Sequence, residues 1–235
     1  MVSESRRENS GGFFMVPAPI LFTVIYGERH PTVIGIMADS HGQPDSIVSA
    51  LALFDSRGCQ RIYHLGDVCD SAHPETAVTC LRPLIQHRVI TLRGNNDHAL
   101  VAGHRQRDNS SLPPQVIDTL QNLCLVAEYK NAIFAHSLPF ARELGLSCMI
   151  RDMGTVEIHR FFGMFPHQVL FRGHSHAPQV TWRLNQHLES RTLQVGRHFD
   201  LTGKIPAVIT CGALTRGFCM IWQPDENCIE LLTLD

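Results

Sequence analysis

No two of the eight cysteines in this 235-residue chain form a Cys-x-x-Cys pair, which excludes a zinc knuckle built on such pairs. Their scatter, from Cys59 to Cys228, points to reduced, mostly buried thiols in a chain too long to need covalent staples. Charge is also scarce: 18% of residues are charged, and they nearly cancel to a net −2. No global field would draw nucleic acid to such a surface. The hydrophobic fraction of 44% is ordinary for a folded domain and excludes a disordered chain. The mostly apolar stretch from Gly12 to Tyr26 is too short to span a bilayer, and Pro17 and Pro19 interrupt it. Although Arg6 and Arg7 precede it, no small-x-small cleavage site follows. Residues 1–31 are therefore expected to be an N-terminal extension, with a flexible start and an added strand over 20–26. Repeats, low-complexity tracts and linkers are absent, so residues 32–235 are expected to form a single domain, cytoplasmic and without membrane contact.

What the chain does have is histidine, 14 in all, and a regular rhythm of apolar runs. Residues 33–37 are apolar and end at Asp39, as a buried strand would. Residues 44–56 carry apolar side chains at Ile47, Val48, Ala50, Leu51 and Phe54, with Pro44 in the first turn and Gly58 past the end, which predicts a helix. Strands are predicted over 61–65 and 89–92, with a helix over 73–86 that Pro83 should end or kink. About 28 residues separate Asp39, Asp67 and Asn95, the length of a βαβ unit. All three then lie just beyond the carboxyl ends of neighbouring parallel strands, where open α/β sheets hold their ligands. The second half reads as strands with fewer helices: helices from Pro113 and over 155–162, strands over 125–127, 132–135, 169–171, 179–184, 191–195, 207–210, 218–222 and 228–232. The two halves together predict two sheets packed face to face with helices outside.

Five short motifs end apolar runs: Asp39-Ser40-His41, Gly66-Asp67, Gly94-Asn95-Asn96-Asp97, His136, and Gly173-His174-Ser175-His176. Taken singly, Asp-x-His and Gly-Asp are common turn sequences, and a lone histidine after a strand is commonplace. Together they offer Asp39, His41, Asp67, Asn95, His136, His174 and His176, seven oxygen or nitrogen donors with no thiolate among them. Such a set suits two adjacent divalent ions, a standard arrangement for phosphoryl hydrolysis. A carboxylate such as Asp67 can bridge two ions, and two histidines flanking one residue can face different ions when the loop turns between them.

This ordered set resembles the calcineurin-like metallophosphoesterase superfamily, over about Thr32 to Trp222, and most closely its small prokaryotic phosphodiesterases. The resemblance implies a four-layer αββα sandwich of two mixed β-sheets flanked by helices. It implies one metal held by Asp39, His41, Asp67 and His176, and a second held by Asp67, Asn95, His136 and His174, with Asp67 bridging. It implies two divalent ions, manganese first, with iron, zinc, nickel or magnesium as alternatives. The implied activity is hydrolysis of a phosphodiester or phosphomonoester by a metal-bridged hydroxide, with Asp67, Asn95 and His174 central to catalysis. Many members carry a histidine where this chain has Asn96, a residue that can donate a hydrogen bond but not act as an acid. His98 would replace that acid only if its loop turned inward. Asp97 is expected to brace the loop, and His64 to be either a support for the site or a packed strand residue.

Arg82, Arg88, Arg93, Arg105 and Arg107 make the region near the third motif basic, and Arg93 is the expected guide for an anionic substrate. Two other readings use the same fold. A non-catalytic protein-binding scaffold would not need all seven donors. A nuclease would need a basic surface for the phosphate backbone, which the net charge argues against. The expected partner is thus a phosphate-ester substrate, neither nucleic acid nor membrane, and a homo-oligomer is compatible with the sequence.

Overall fold

The structure, a computed structural model, describes residues 32–106 and 112–234, and only the backbone of Arg105 and Gln106. The extension expected over residues 1–31 lies outside the described residues. The elements run β1 (Ile34–Met37), α1 (Pro44–Ser56), β2 (Arg61–His64), α2 (Ala77–Gln86), β3 (Ile90–Thr91) and α3 (Asn95–Gln106). Then come α4 (Pro114–Asn122), β4 (Val126–Tyr129), β5 (Ala132–Ala135), α5 (Ala141–Leu144), α6 (Thr155–Met164) and β6 (Val169–Arg172). The chain closes with β7 (Gln179–Leu184), β8 (His187–Thr192), β9 (His198–Asp200), β10 (Ala207–Thr210), β11 (Phe218–Gln223) and β12 (Cys228–Thr233). No helix of the described residues is long and apolar enough to cross a membrane.

Two six-stranded mixed sheets result, in the orders β3-β2-β1-β11-β12-β9 and β4-β5-β6-β10-β7-β8. Strands β1, β2 and β3 are parallel, as are β5, β6 and β10. The sheets do not divide the chain into halves. The late strands β11 and β12 return to the first sheet, where β11 runs antiparallel to β1.

Side-chain alternation along the strands separates the apolar layers. Ile34, Ile36, Phe134, Phe171, Ile209, Met220 and Trp222 point between the sheets and form one buried core. Met37, Cys219 and Ile221 point the other way and pack with Ile47, Leu51 and Phe54 of α1 and with Leu81, Leu84 and Leu120. On the far side, Ile133, Leu170 and Val208 pack with Phe161 and Phe162 of α6. The layers are therefore helix, sheet, sheet, helix. In α1 the buried residues Ile47, Ala50, Leu51 and Phe54 fall at helical spacing, with Pro44 in the first turn. Strands such as Ile34–Met37 are buried on both faces, which is why they read as unbroken apolar runs.

Three local expectations are corrected. Pro83 does not end α2, which continues to Gln86 with Cys80, Leu81 and Leu84 buried on either side of it. Packing of that apolar face outweighs the lost backbone bond. The strand expected over 191–195 is instead β8, six residues that pair back on β7 through the two-residue turn Asn185-Gln186. Both turn residues have positive φ, 47° and 70°, the type I′ geometry that matches the twist of a hairpin. Strand β8 is mostly exposed and polar, so it carried no hydrophobic signal. Finally, Asn95 opens the helix α3.

Candidate metal centre

Five loops deliver the site, each from the carboxyl end of a parallel strand: β1 supplies Asp39 and His41, β2 Asp67, β3 Asn95, β5 His136, and β6 His174 and His176. The loops are sharply bent. Asp39, His41, Asp67, His174 and His176 all have φ between 41° and 68°, the left-handed region that side chains rarely adopt. Glycine lets these bends close on one another. A Cβ on Gly173 would stand 2.7 Å from Asp39 Oδ2, and one on Gly94 would collide with the Asp67 carboxylate.

All seven expected donors converge. His41 Nε2 stands 3.1 Å from His176 Nε2, 4.0 Å from Asp39 Oδ1 and 3.8 Å from Asp67 Oδ2. His176 Nε2 is 3.6 Å from Asp39 Oδ1. On the other side of Asp67, His136 Nε2 stands 3.7 Å from Asp67 Oδ2 and 3.1 Å from both Asn95 Oδ1 and His174 Nδ1. His174 Nδ1 is in turn 3.1 Å from Asn95 Oδ1. Two groups thus share one oxygen, Asp67 Oδ2.

These groups fit cations. Two ligands at right angles, each about 2.1 Å from a shared ion, lie about 3 Å apart, close to the spacing of the imidazole nitrogens. Asp39 Oδ1 is buried and has no hydrogen-bond partner among the described residues. An orphaned carboxylate oxygen facing imidazole nitrogens is costly unless a cation stands between them. Protonation states agree with this. Burial, with help from the Asp67 charge, pushes Asp39 well above the usual carboxylate range when no cation is counted. Burial holds His136 down to about 4, and it lowers His174 and His176 as well. Neutral imidazoles are what metal ligation requires. The oxygen of Leu65 can only accept, so His136 Nδ1 at 2.9 Å carries the proton and Nε2 keeps its lone pair for the cluster.

Further residues hold the loops. Asp97 is fully buried and accepts hydrogen bonds from the backbone N–H groups of Asp67, Cys69 and Gly94, each at 2.9 Å. It braces motifs two and three together. Burial raises its carboxyl to about 6, with the Asp67 charge second. His64 is also fully buried: Gly66 N–H donates to its Nδ1 at 3.2 Å, so Nε2–H donates to Ser40 Oγ at 3.0 Å, and Ser40 donates on to Val68 O. That chain ties the first motif to the second. Burial pushes His64 down to about 3, so the ring is neutral. Asn96 donates to both Asp67 oxygens, through its backbone N–H and its Nδ2, each at 2.8 Å, while Ser71 Oγ donates to its Oδ1. The amide at position 96 is therefore committed to the shared carboxylate.

One expectation near the third motif is corrected. The Arg93 guanidinium, expected to guide substrate, is engaged elsewhere: it donates to the carbonyl of Gln121 at the end of α4, and its backbone N–H donates to Cys124 O. Arg82 and Arg88 are exposed, and Arg107 lies outside the described residues. His98 lies in the first turn of the helix α3 and not on a loop.

Sequence reasoning also missed residues that the fold brings to the site. Arg172, 5% exposed, spans the second sheet's edge: Nε donates to Ser137 O at 3.1 Å, Nη2 to Ser137 Oγ at 3.0 Å, and Nη1 reaches Thr210 Oγ1 at 3.4 Å and Ser175 Oγ at 3.5 Å. Its one signal was a charge closing an otherwise apolar strand. Asp152 lies with Oδ1 3.5 Å from His174 Nε2 and had no signal at all.

Known proteins agree with this architecture. A family model for the calcineurin-like phosphoesterase superfamily domain matches residues 33–198. A metallophosphoesterase from Sphaerobacter thermophilus has a similar structure, with a TM-score of 0.69 at 17% identity, covering 88% of this chain and 89% of that one. A structure described as a novel archaeal phosphodiesterase has a TM-score of 0.50 at 14% identity, covering 86% of this chain and 100% of the other. At these identities the likeness concerns the fold. No curated protein sequence matches this chain.

Proposed function

Because the chain belongs to the calcineurin-like phosphoesterase superfamily, we propose that it hydrolyses phosphate esters with two divalent ions. One ion is held by Asp39, His41, Asp67 and His176, and the other by Asp67, Asn95, His136 and His174. The observation that carries this reading is the pair of donor groups on either side of Asp67 Oδ2, with His41 at 3.8 Å and His136 at 3.7 Å. Bound ions would supply Lewis-acid charge for the phosphoryl oxygens and make a water acidic enough to attack at neutral pH. Manganese suits this nitrogen and oxygen set, and iron, zinc, nickel and magnesium are alternatives that availability would decide.

The residues of the chain divide the remaining work. Neutral His136, fixed by Leu65 O, keeps a lone pair on the cluster. Asn95 adds an oxygen without adding charge, so the centre stays receptive to an anionic ester. Asn96 holds both Asp67 oxygens in place. Since that amide cannot pass a proton to the departing oxygen, esters of acidic alcohols, such as aryl phosphodiesters, should be the best substrates.

The test combines metal analysis with chromogenic mono- and diesters. The manganese-loaded wild type should hydrolyse at least one of them. Asp67→Ala and His174→Ala should each lower kcat/KM by on the order of 10²–10³-fold or more. A folded protein that binds manganese yet cleaves neither class of ester would overturn the enzymatic reading and leave a binding scaffold.

A further inference from the structure

His136 and His174 face each other across the second donor group, with Nε2 of one 3.1 Å from Nδ1 of the other. For both to serve as ligands, neither facing nitrogen can carry a proton. In His136 the proton is drawn to the far nitrogen by the buried carbonyl of Leu65. In His174 the far nitrogen is Nε2, and it has a different neighbour: Asp152 Oδ1 at 3.5 Å.

Asp152 does not reach His174 by chance of a loose loop. Ser137 Oγ donates to the carbonyl of Arg151 at 2.6 Å, and Leu138 N–H donates to Cys148 O at 2.9 Å, so the segment before Asp152 is fastened to the loop that carries His136. Arg172 fastens Ser137 in turn, by bonds to its backbone oxygen and its hydroxyl. Arg172 also directly precedes Gly173 and His174. One buried guanidinium therefore sets the distance between the segment bearing Asp152 and the loop bearing His174.

Resting on the metal-centre reading above, we propose that Asp152 is a positioning residue that keeps the His174 proton on Nε2 and so leaves Nδ1 free to bind the second ion. Its side chain is 93% exposed, so solvent screens its charge and long-range attraction contributes little. The effect works through the acceptor nearest to Nε2, the Asp152 carboxylate oxygen 3.5 Å away. Without it, the neutral ring can place its proton on Nδ1 and donate to Asn95 Oδ1, 3.1 Å away, which would cap the second donor group. Carboxylates that accept from a ligand histidine in this way typically change metal affinity by about 10–100-fold.

The experiment uses Asp152→Ala and Asp152→Glu, whose exposed position spares the fold. Long-range ¹H–¹⁵N spectra of the metal-free, full-length protein read the His174 tautomer. Calorimetric titration with manganese reads the two affinities. In the metal-free wild type an Nε2–H form should be populated in competition with the Nδ1–H form, whose proton would have Asn95 Oδ1 and His136 Nε2 as acceptors at 3.1 Å. In Asp152→Ala the Nε2–H share should fall, and one manganese affinity should fall about 10–100-fold while the other changes less than about twofold. Asp152→Glu should restore most of both. An unchanged tautomer in Asp152→Ala overturns the inference whatever the calorimetry reads, and a changed tautomer with unchanged affinities overturns it too. A wild type that takes up no manganese overturns the metal reading and this inference together, whereas the variant series can overturn the inference alone.

Discussion

The two sheet edges that meet at the candidate metal centre are held by buried groups of opposite charge. At the first edge, backbone N–H groups of the second and third motifs turn inward and converge on an anion, Asp97. At the second edge, carbonyl and hydroxyl oxygens turn inward and converge on a cation, Arg172. The difference follows from how the loops bend. Where a loop presents donors to the interior, a carboxylate with its several lone pairs can satisfy them at once, and a guanidinium with its fork of N–H groups does the same for oxygens. The same contrast appears in the two facing histidines. One is set by a buried backbone carbonyl, the other by an exposed carboxylate on a distant loop. Both rings stand at the second edge, after β5 and β6, so they differ in what fixes them: an enclosed carbonyl lent by the first edge, Leu65 O, or a carboxylate that solvent can reach.

Removing each buried post tests that contrast. Asp97→Ala should cost the most, about 3 kcal/mol or more in urea unfolding of the metal-free protein, because three buried N–H groups lose their acceptor. A loss below about 1 kcal/mol would mean the first edge does not depend on its anion. Arg172→Met should cost somewhat less, about 2 kcal/mol, since methionine fills similar space and the hydroxyls of Ser137, Ser175 and Thr210 can rotate to other partners. Equal or larger damage than Asp97→Ala would reverse the ranking of the two edges.

Acid should act on the first edge through His64. Burial holds its folded pKa at about 3, below the ordinary 6.5, so the unfolded chain binds the extra proton first. The stability tied to neutral His64 is complete above pH 6.5 and is lost as the pH falls toward 3. His136, held at about 4, adds a loss of the same sign. Asp97, raised to about 6, opposes it by gaining stability as the pH falls from 6 toward 3.8. Comparing wild type with His64→Gln isolates the first contribution: between pH 7 and 5 the wild type should lose about 1–2 kcal/mol more than the variant. Identical pH profiles would show that His64 is not the enclosed neutral link between Ser40 and Gly66. The smallest effect belongs to neither edge. Arg93→Ala should change kcat/KM less than about twofold, because the guanidinium is engaged with Gln121. A tenfold rise in KM would restore Arg93 as a substrate guide and add a cation to the first edge.

These supports were less legible in the sequence than the donors themselves. The seven donor side chains stand at the ends of apolar runs, several beside glycine, and such local signals survive without a structure. Helix α1 and strands such as Ala132–Ala135 were readable for the same reason, a short period with clear punctuation. The bond from Arg172 to Ser137 spans 35 positions, and no periodicity links them. Asp152 sits in irregular backbone, where neither spacing nor burial marks it. The return of β11 to pair with β1 was hidden too, because strand order depends on which long connection closes, and local propensity does not encode that. Helix α3 escaped notice because its sequence, Asn95–Gln106, has a weakly apolar face and begins with two asparagines.

Five of the seven donor residues occupy left-handed backbone that glycine would adopt without strain. At these positions the chemical group and the bend are carried by the same residue, and they pull in opposite directions. Conserving the donor keeps a backbone penalty in place, and abandoning it for glycine would relax the loop. These bends are thus the places where the stability of the fold and the chemistry of the cluster trade against each other within single residues.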